Sequence, residues 1–365
     1  MLRHAAAAVT AFAVLVAASP AGAATRDPVR DELRRIVAED GWPGALASVK
    51  GRDGRIRDLT AGVAKLGTRR PVPVDGQVRI GSNTKTFVAV VVLQLVAENK
   101  VRLDEPVETY LPRLLRGDGI DGRHLTVRQL LQHTSGLPDY TGHLESDELS
   151  RYYEPRELLD LALAHPAGFA PGAKWKYSNT NYVVLGLLVQ RVTGRPVTEE
   201  ITERVIRKAG LRHTYFPSAG EQVIRERHPH GYAPDDTGKQ FDVTDLDPSW
   251  GWAAGQLVAT PSDLRKFFAA LIDGKLLPPA QLAEMRRTVP AEGSQPGARY
   301  GLGVISFTLS CGRVAWGHGG SIPGFVTRVA AIEGGPAAAV AVTSQPTTPE
   351  QNDGVVKVLD AALCQ

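Results

Sequence analysis

Residues 86–99 read TFVAVVVLQLVAEN, about four helical turns that are apolar on every side rather than along one stripe. A helix of that kind can lie only at the centre of a large core, so the rest of the chain must surround it. Just ahead of it stands Gly81-Ser82-Asn83-Thr84-Lys85, which places a lysine on the first buried turn. Buried lysines are rare because an unpaired ammonium is expensive to desolvate. Ser82 lies three residues before Lys85, so the two side chains share a helix face within hydrogen-bonding reach. Burial lowers a lysine pKa, and a neutral amine there could take the serine proton. The helix N-terminus adds outward backbone N–H groups, that of Ser82 included, and a dipole that favours developing negative charge. Short patterns arise by accident, but no other serine here is followed three residues later by lysine.

With 365 residues, 43% of them hydrophobic, the chain can supply such a core as one large domain or two closely packed ones. The formal charge of +3 is spread along the chain, which argues against a nucleic-acid or membrane footprint. Arg3, the apolar stretch 5–18 and the small-residue site Ala21-Gly22-Ala23 have the layout of a secretory signal. Residues 1–23 are therefore expected to be removed, leaving a secreted chain without a stable membrane anchor. In an oxidising compartment Cys311 and Cys364 can pair only with each other, which would stabilise the fold by about 4 kcal/mol in the chain-entropy model. Two buried free thiols are the alternative.

Asp27-Pro28 supplies a cap and first-turn proline for a helix over 28–40, and runs 45–50 and 59–66 flank a turn at Gly51–Gly54 as a hairpin. Val78–Ile80 read as a brief strand and 82–98 as the central helix. Helical segments then dominate: 127–132, 155–164, 182–193, 198–208 and 262–272. Strands return over 300–309, 313–316, 325–332 and 338–344, before a last helix over 349–363. The pattern predicts one sheet domain built from 24–100 and 255–365, with an all-helical insertion over 101–254 and the active face between them.

No G-x-S-x-G, H-E-x-x-H, P-loop or G-x-G-x-x-G motif occurs, which removes the main support for a triad esterase, zinc protease or nucleotide-binding protein. The stretches GSNTK (81–85), LLQHTSGLPDY (130–140), KYSNTNYVVLG (176–186), WAAGQLVATPSDL (252–264), YGLGV (300–304) and WGHGGSIPGF (316–325) resemble, in order, the penicillin-recognising serine hydrolases. The branch they resemble holds secreted D-alanyl-D-alanine carboxypeptidases and class C beta-lactamases. The resemblance implies an α+β, beta-lactamase/transpeptidase-like fold with an antiparallel sheet, flanking helices and a helical domain. It also implies a Cys311–Cys364 disulfide.

In that family's terms Ser82 is the nucleophile, Lys85 its base and Tyr177 a second proton carrier, acting as a phenolate or as a phenol held by Lys85. Asn179 would donate its amide to the acyl-side carbonyl of the substrate. His318-x-Gly320 stands where other branches have Lys-Thr-Gly, and Ser321 would give the second oxyanion N–H, with the acyl chain along that strand. Trp252 would line the acyl pocket or pack as a core aromatic, and His133 is read as structural. The resemblance implies no metal or cofactor, a monomer, peptidoglycan-stem or small-peptide substrates, and beta-lactams as acylating inhibitors.

The pattern departs at the carboxylate site that such peptidases need. Gly319 has no hydroxyl and strand 304–309 no cation; Ser321 keeps one hydroxyl, and Arg328 or Arg313 could substitute for the cation. The expected activity is D-Ala-D-Ala carboxypeptidase. The alternatives are a class C-like beta-lactamase, an esterase or D-amino-acid peptide hydrolase of the same fold, and, from another class, an idle penicillin sensor.

Overall fold

The computed structural model describes residue 1 and residues 27–144, 150–235, 237–292 and 297–365. The expected signal segment and its cleavage site near Ala23 lie outside the described residues. In chain order the elements are α1 (Pro28–Ala38), β1 (Gly44–Lys50), β2 (Ile56–Gly62), β3 (Val78–Arg79), α2 (Thr84–Ala97), β4 (Arg116–Gly117) and β5 (Ile120–Asp121). Next come α3 (Val127–Leu131), α4 (Pro155–Leu163), α5 (Thr180–Thr193), α6 (Val197–Ile201), β6 (Tyr232–Pro234), β7 (Gln240–Asp242), α7 (Trp252–Gly255), β8 (Val258–Ala259), α8 (Pro261–Ile272) and α9 (Pro279–Met285). The chain ends with β9 (Val289–Pro290), β10 (Arg299–Tyr300), β11 (Ile305–Thr308), β12 (Val314–Ile322), β13 (Phe325–Ala331), β14 (Ala337–Val342) and α10 (Pro349–Cys364).

Eight strands form one antiparallel sheet in the order β2-β1-β14-β13-β12-β11-β10-β9. The N-terminal hairpin joins the C-terminal strands through β1 and β14, with Ala45 opposite Val342. The sequence AAAVAV of β14 is buried at every residue, as expected for a strand covered on both faces. Helices α1 and α10 cover one face, where Val29, Leu33, Val355 and Leu359 pack with Ala45 and Val340. The Cys311–Cys364 disulfide ties the β11–β12 turn to the end of α10.

On the other side lies α2, with every residue from Thr84 to Leu95 buried. Phe87 stacks on Phe267 of α8 at 3.8 Å between ring centroids. Gly186 lets α7 approach α5, since a Cβ there would meet Trp252 Cζ3 at 2.6 Å.

Several expectations shift. The first turn of the central helix is a 3-10 turn, Gly81–Asn83. β2 runs over Ile56–Gly62 instead of 59–66; Gly62 takes φ +80° and ends it against the Pro43 carbonyl. The strand expected over 300–309 is two strands, because the Gly301 N–H turns back to the Val304 carbonyl (2.8 Å). Gly303, at φ +79°, presses onto α2, where a Cβ would meet Ala89 Cβ at 2.4 Å. The expected all-helical insertion also holds two small strand pairs, β4-β5 and β6-β7. The second is pinned by the Asp235 carboxylate, which accepts the Thr237 and Lys239 N–H groups (both 2.9 Å).

Candidate active site

The site begins where β3 hands over to α2. Gly81, at φ +50°, brings this turn against β12: a Cβ there would meet the Ser321 nitrogen at 2.9 Å. Asn83 anchors the turn from below, its amide donating to the Ile80 carbonyl (2.9 Å) and to Thr327 Oγ1 on β13 (2.7 Å). Ser82 alone in this turn keeps part of its surface open, while Lys85, one turn on, is fully buried.

Lys85 Nζ has three neighbours: Asn179 Oδ1 at 2.7 Å, the Ala254 carbonyl at 2.7 Å and Ser82 Oγ at 3.0 Å. The first two can only accept. A neutral amine spends its two N–H groups on them and turns its lone pair to the Ser82 hydroxyl, which is the arrangement of a general base. Burial lowers the Lys85 pKa to about 7, and the charge of Asp139 offsets part of the shift.

Asp139 acts through Asn179, whose amide nitrogen donates to its carboxylate oxygens (3.0 and 3.3 Å) and to Thr141 Oγ1 (3.4 Å). The amide expected to face a substrate carbonyl is thus held by Asp139, and its oxygen holds Lys85. Tyr177 borders the cleft beside Ser82, with Lys85 Nζ 4.9 Å from its ring centre. Burial pushes its pKa upward, so of the two forms expected for it the structure carries the phenol.

Behind them runs a buried line of rings. His133 Nδ1 accepts from the Ser178 N–H (3.2 Å) and the Asn181 amide (3.0 Å), which leaves its proton on Nε2 to donate to Tyr300 Oη (3.2 Å). Tyr300 donates onward to His318 Nε2 (2.9 Å), and His318 Nδ1–H meets the Gly319 carbonyl (2.6 Å). Burial lowers the His318 pKa to about 3 and that of His133 as well, so both rings are neutral. His318 borders the cleft, but its two nitrogens are engaged within the protein; its ring supports the strand.

β12 pairs with β11 only as far as Gly317, whereas its partner β13 continues to Ile322. Residues 318–322 therefore have no strand of the sheet on the side of the cleft. Gly320 permits the close approach of the Ser82 turn, since a Cβ there would lie 2.0 Å from the Ile80 carbonyl oxygen. The resulting cleft, about 870 Å³, is bordered by Ser82, Tyr177, Tyr300, His318, Gly320 and Ser321.

Of the two readings open for Trp252, the structure has the packed aromatic: it is not among the residues bordering this cleft and is buried against Gly186 of α5. Its helix, α7, contributes the Ala254 carbonyl to Lys85 instead. Asp139 and Tyr300 stood in the quoted stretches LPDY and YGLGV without a role, and only packing shows what they touch. Among the described residues no cluster of His, Cys, Asp and Glu could hold a metal ion.

One consequence is a simple pH profile. With both histidines neutral far below pH 7 and Tyr177 protonated far above it, Lys85 is the one ionisation among these groups near neutrality. The serine-activating form is the deprotonated one, so kcat/KM for an uncharged ester should rise tenfold per pH unit below about 7 and level off above it. A profile flat from pH 5 to 8 would contradict the assignment of Lys85 as base.

The Beta-lactamase family matches residues 29–363. Among solved structures, a D-stereospecific amidohydrolase from Streptomyces sp. superposes with a TM-score of 0.82 at 36% identity, covering 91% of this chain and 97% of that one. Among curated proteins, PbpX of Bacillus subtilis (strain 168), provisionally named a penicillin-binding protein, is 31% identical over 248 residues, 67% of this chain and 56% of the relative. Esterase EstB of Burkholderia gladioli is 36% identical over 214 residues, 54% of this chain and 52% of the relative. The chain thus spans little more than half the length of these two curated relatives.

Proposed function

The chain belongs to the Beta-lactamase family and is a serine hydrolase of the beta-lactamase fold, and we propose that it is a D-alanyl-D-alanine carboxypeptidase working through an acyl-enzyme on Ser82. The observation that carries the acyl-serine chemistry is the Lys85 amine, whose two protein acceptors leave only Ser82 for its lone pair.

In acylation the Ser82 proton passes to Lys85 Nζ as Oγ bonds to the scissile carbonyl carbon. The backbone N–H groups of Ser82 and Ser321 receive the oxyanion. The proton then travels through the Tyr177 hydroxyl to the leaving nitrogen as the C–N bond breaks, freeing D-alanine. Water reverses the path: its proton goes to the Tyr177–Lys85 pair, its oxygen attacks the ester, and Ser82 regains its hydrogen. The substrate's extended acyl portion lies along the open edge of 318–322. Export, with removal of residues 1–23, belongs to the same reading. It is supported by the N-terminal pattern and by the Cys311–Cys364 bond, which persists in oxidising compartments.

A D-configured acyl donor is supported by the likeness to the Streptomyces amidohydrolase, described as D-stereospecific. The likeness to EstB favours an esterase as second reading. The test supplies a diacyl-Lys-D-Ala-D-Ala peptide, its L-Ala-L-Ala counterpart, a penicillin and a short-chain nitrophenyl ester. Release of D-alanine from the first peptide alone, with a lasting penicillin adduct, is the expected result. Turnover of the ester with neither peptide cleaved would establish the esterase reading, and fast penicillin hydrolysis that of a beta-lactamase.

A further inference from the structure

Asp139 reaches the Ser82–Lys85 pair through a single residue. Its carboxylate oxygens accept from the Asn179 amide nitrogen (3.0 and 3.3 Å), and Asn179 Oδ1 accepts from Lys85 Nζ (2.7 Å). An amide has an accepting end and a donating end, and turning it over exchanges them. Turned over here, Asn179 would set its oxygen against the Asp139 carboxylate and give its N–H to the Lys85 lone pair, disabling the base. A carboxylate can only accept, so Asp139 holds the amide the other way round. Both N–H groups of a neutral Lys85 then go to Asn179 Oδ1 and the Ala254 carbonyl, and the lone pair is left for Ser82.

The surroundings make this hold firm. Thr180 Oγ1 accepts the Tyr140 N–H (3.2 Å) and donates to the Pro138 carbonyl (2.6 Å), so residues 138–140 are fastened to the start of α5. Asp139 Oδ1 also accepts the Thr141 N–H (3.1 Å), which caps the 3-10 turn Tyr140–His143. Asp139 is not among the residues bordering the cleft. Of the other titratable groups facing Lys85, His133 and His318 are neutral through burial, and Tyr177 and Tyr182, with ring centres 4.9 and 5.6 Å from Nζ, stay protonated. Burial brings the Lys85 pKa down to about 7, and the Asp139 charge offsets part of that fall.

We propose that Asp139 is a positioning residue for this reaction: acting through the Asn179 amide, it fixes the direction in which Lys85 presents its lone pair to Ser82. This rests on the acyl-serine reading of Ser82 and Lys85. The Asn179 amide, its N–H groups engaged by Asp139 and Thr141, then serves the base in place of a substrate carbonyl.

The competing account is that Asp139 only caps its turn, and replacements separate cap from charge. Asparagine caps a turn as aspartate does but carries no charge, whereas glutamate keeps the charge on a longer stem that misplaces the cap. The measurement is kcat/KM for an uncharged short-chain nitrophenyl ester from pH 5 to 9. An anion near an ammonium favours the charged form, so its removal lowers the Lys85 pKa. The acid limb of the Asp139→Asn profile should move down by at least about half a pH unit, and its plateau should fall about tenfold as the amide loses its fixed orientation. Asp139→Ser, a second uncharged cap, reads the same changes if Asp139→Asn folds poorly. Asp139→Glu should keep the limb near its wild-type position. In an Asn179→Ala background, Asp139→Asn should alter the plateau by less than about threefold, because the connecting amide is gone. An unchanged plateau, an equal loss with and without Asn179, or an acid limb that stays put in the uncharged variants or moves equally in Asp139→Glu would each overturn the role of Asp139. A wild-type profile without an acid limb would instead overturn Lys85 as base, and the proposal with it.

Discussion

Lys85→Met should slow acylation of Ser82 by about 1,000- to 10,000-fold, the usual scale of a positioned general base, in a protein that still folds. Methionine keeps the unbranched stem that threads α2, and its thioether can neither take the serine proton nor carry charge. The substitution removes a fully buried amine but leaves Asn179 Oδ1 and the Ala254 carbonyl without their donor, so stability should change little while chemistry fails. Stopped-flow acylation by a penicillin or an activated ester reads the rate, and circular dichroism the fold. A loss of less than about tenfold would mean that another group takes the Ser82 proton.

Gly320→Ala should have the largest effect on the fold around the site. Its new methyl would lie 2.0 Å from the Ile80 carbonyl oxygen and 2.5 Å from Thr327 Oγ1. The first obstacle is backbone, and the second is held by Asn83, so the Ser82 turn and β12 must part. The expected cost is about 3 kcal/mol or more, at the upper end of overpacking, together with loss of acylation because Ser82 and Ser321 separate. Gly319→Ala is the matched control: its methyl meets only the far end of Arg328, at 3.1 Å, and should cost under about 1 kcal/mol. Denaturant unfolding of the two variants measures the difference. Equal stability would contradict the close packing of the nucleophile turn on β12.

What could be read from the chain, and what could not, follows from the range of each interaction. Ser82 and Lys85 are one helical turn apart, so their contact is written in local spacing, and the all-round apolar character of 86–96 fixed the depth of the lysine. Tyr177 and His318 reach the cleft through tertiary folding, and only the likeness of whole stretches singled them out. The partners of those residues were out of reach of either argument. That the Asn179 amide turns to Asp139 rather than into the cleft, or that His133, Tyr300 and His318 form one hydrogen-bonded line, depends on helices and strands far apart in sequence.

The sequence leaves Trp252 open between pocket and core for a related reason. An aromatic beside a site motif can face the substrate or the core, and Gly186, 66 positions earlier, decides it by opening space on α5. Arg328 shows the converse. Its sequence neighbours are those of a buried strand, and only the register of β13 against Gly319 shows that its charge faces the cleft.

The central claim is that acyl groups are carried by Ser82. The direct measurement is intact-mass analysis of the protein quenched during turnover of a penicillin or an activated ester, followed by peptide mapping. The account predicts a single acyl adduct on the peptide containing Gly81-Ser82-Asn83, absent from Ser82→Ala, which should also lose turnover of both compounds. An adduct on another residue, or turnover that survives Ser82→Ala, would contradict it.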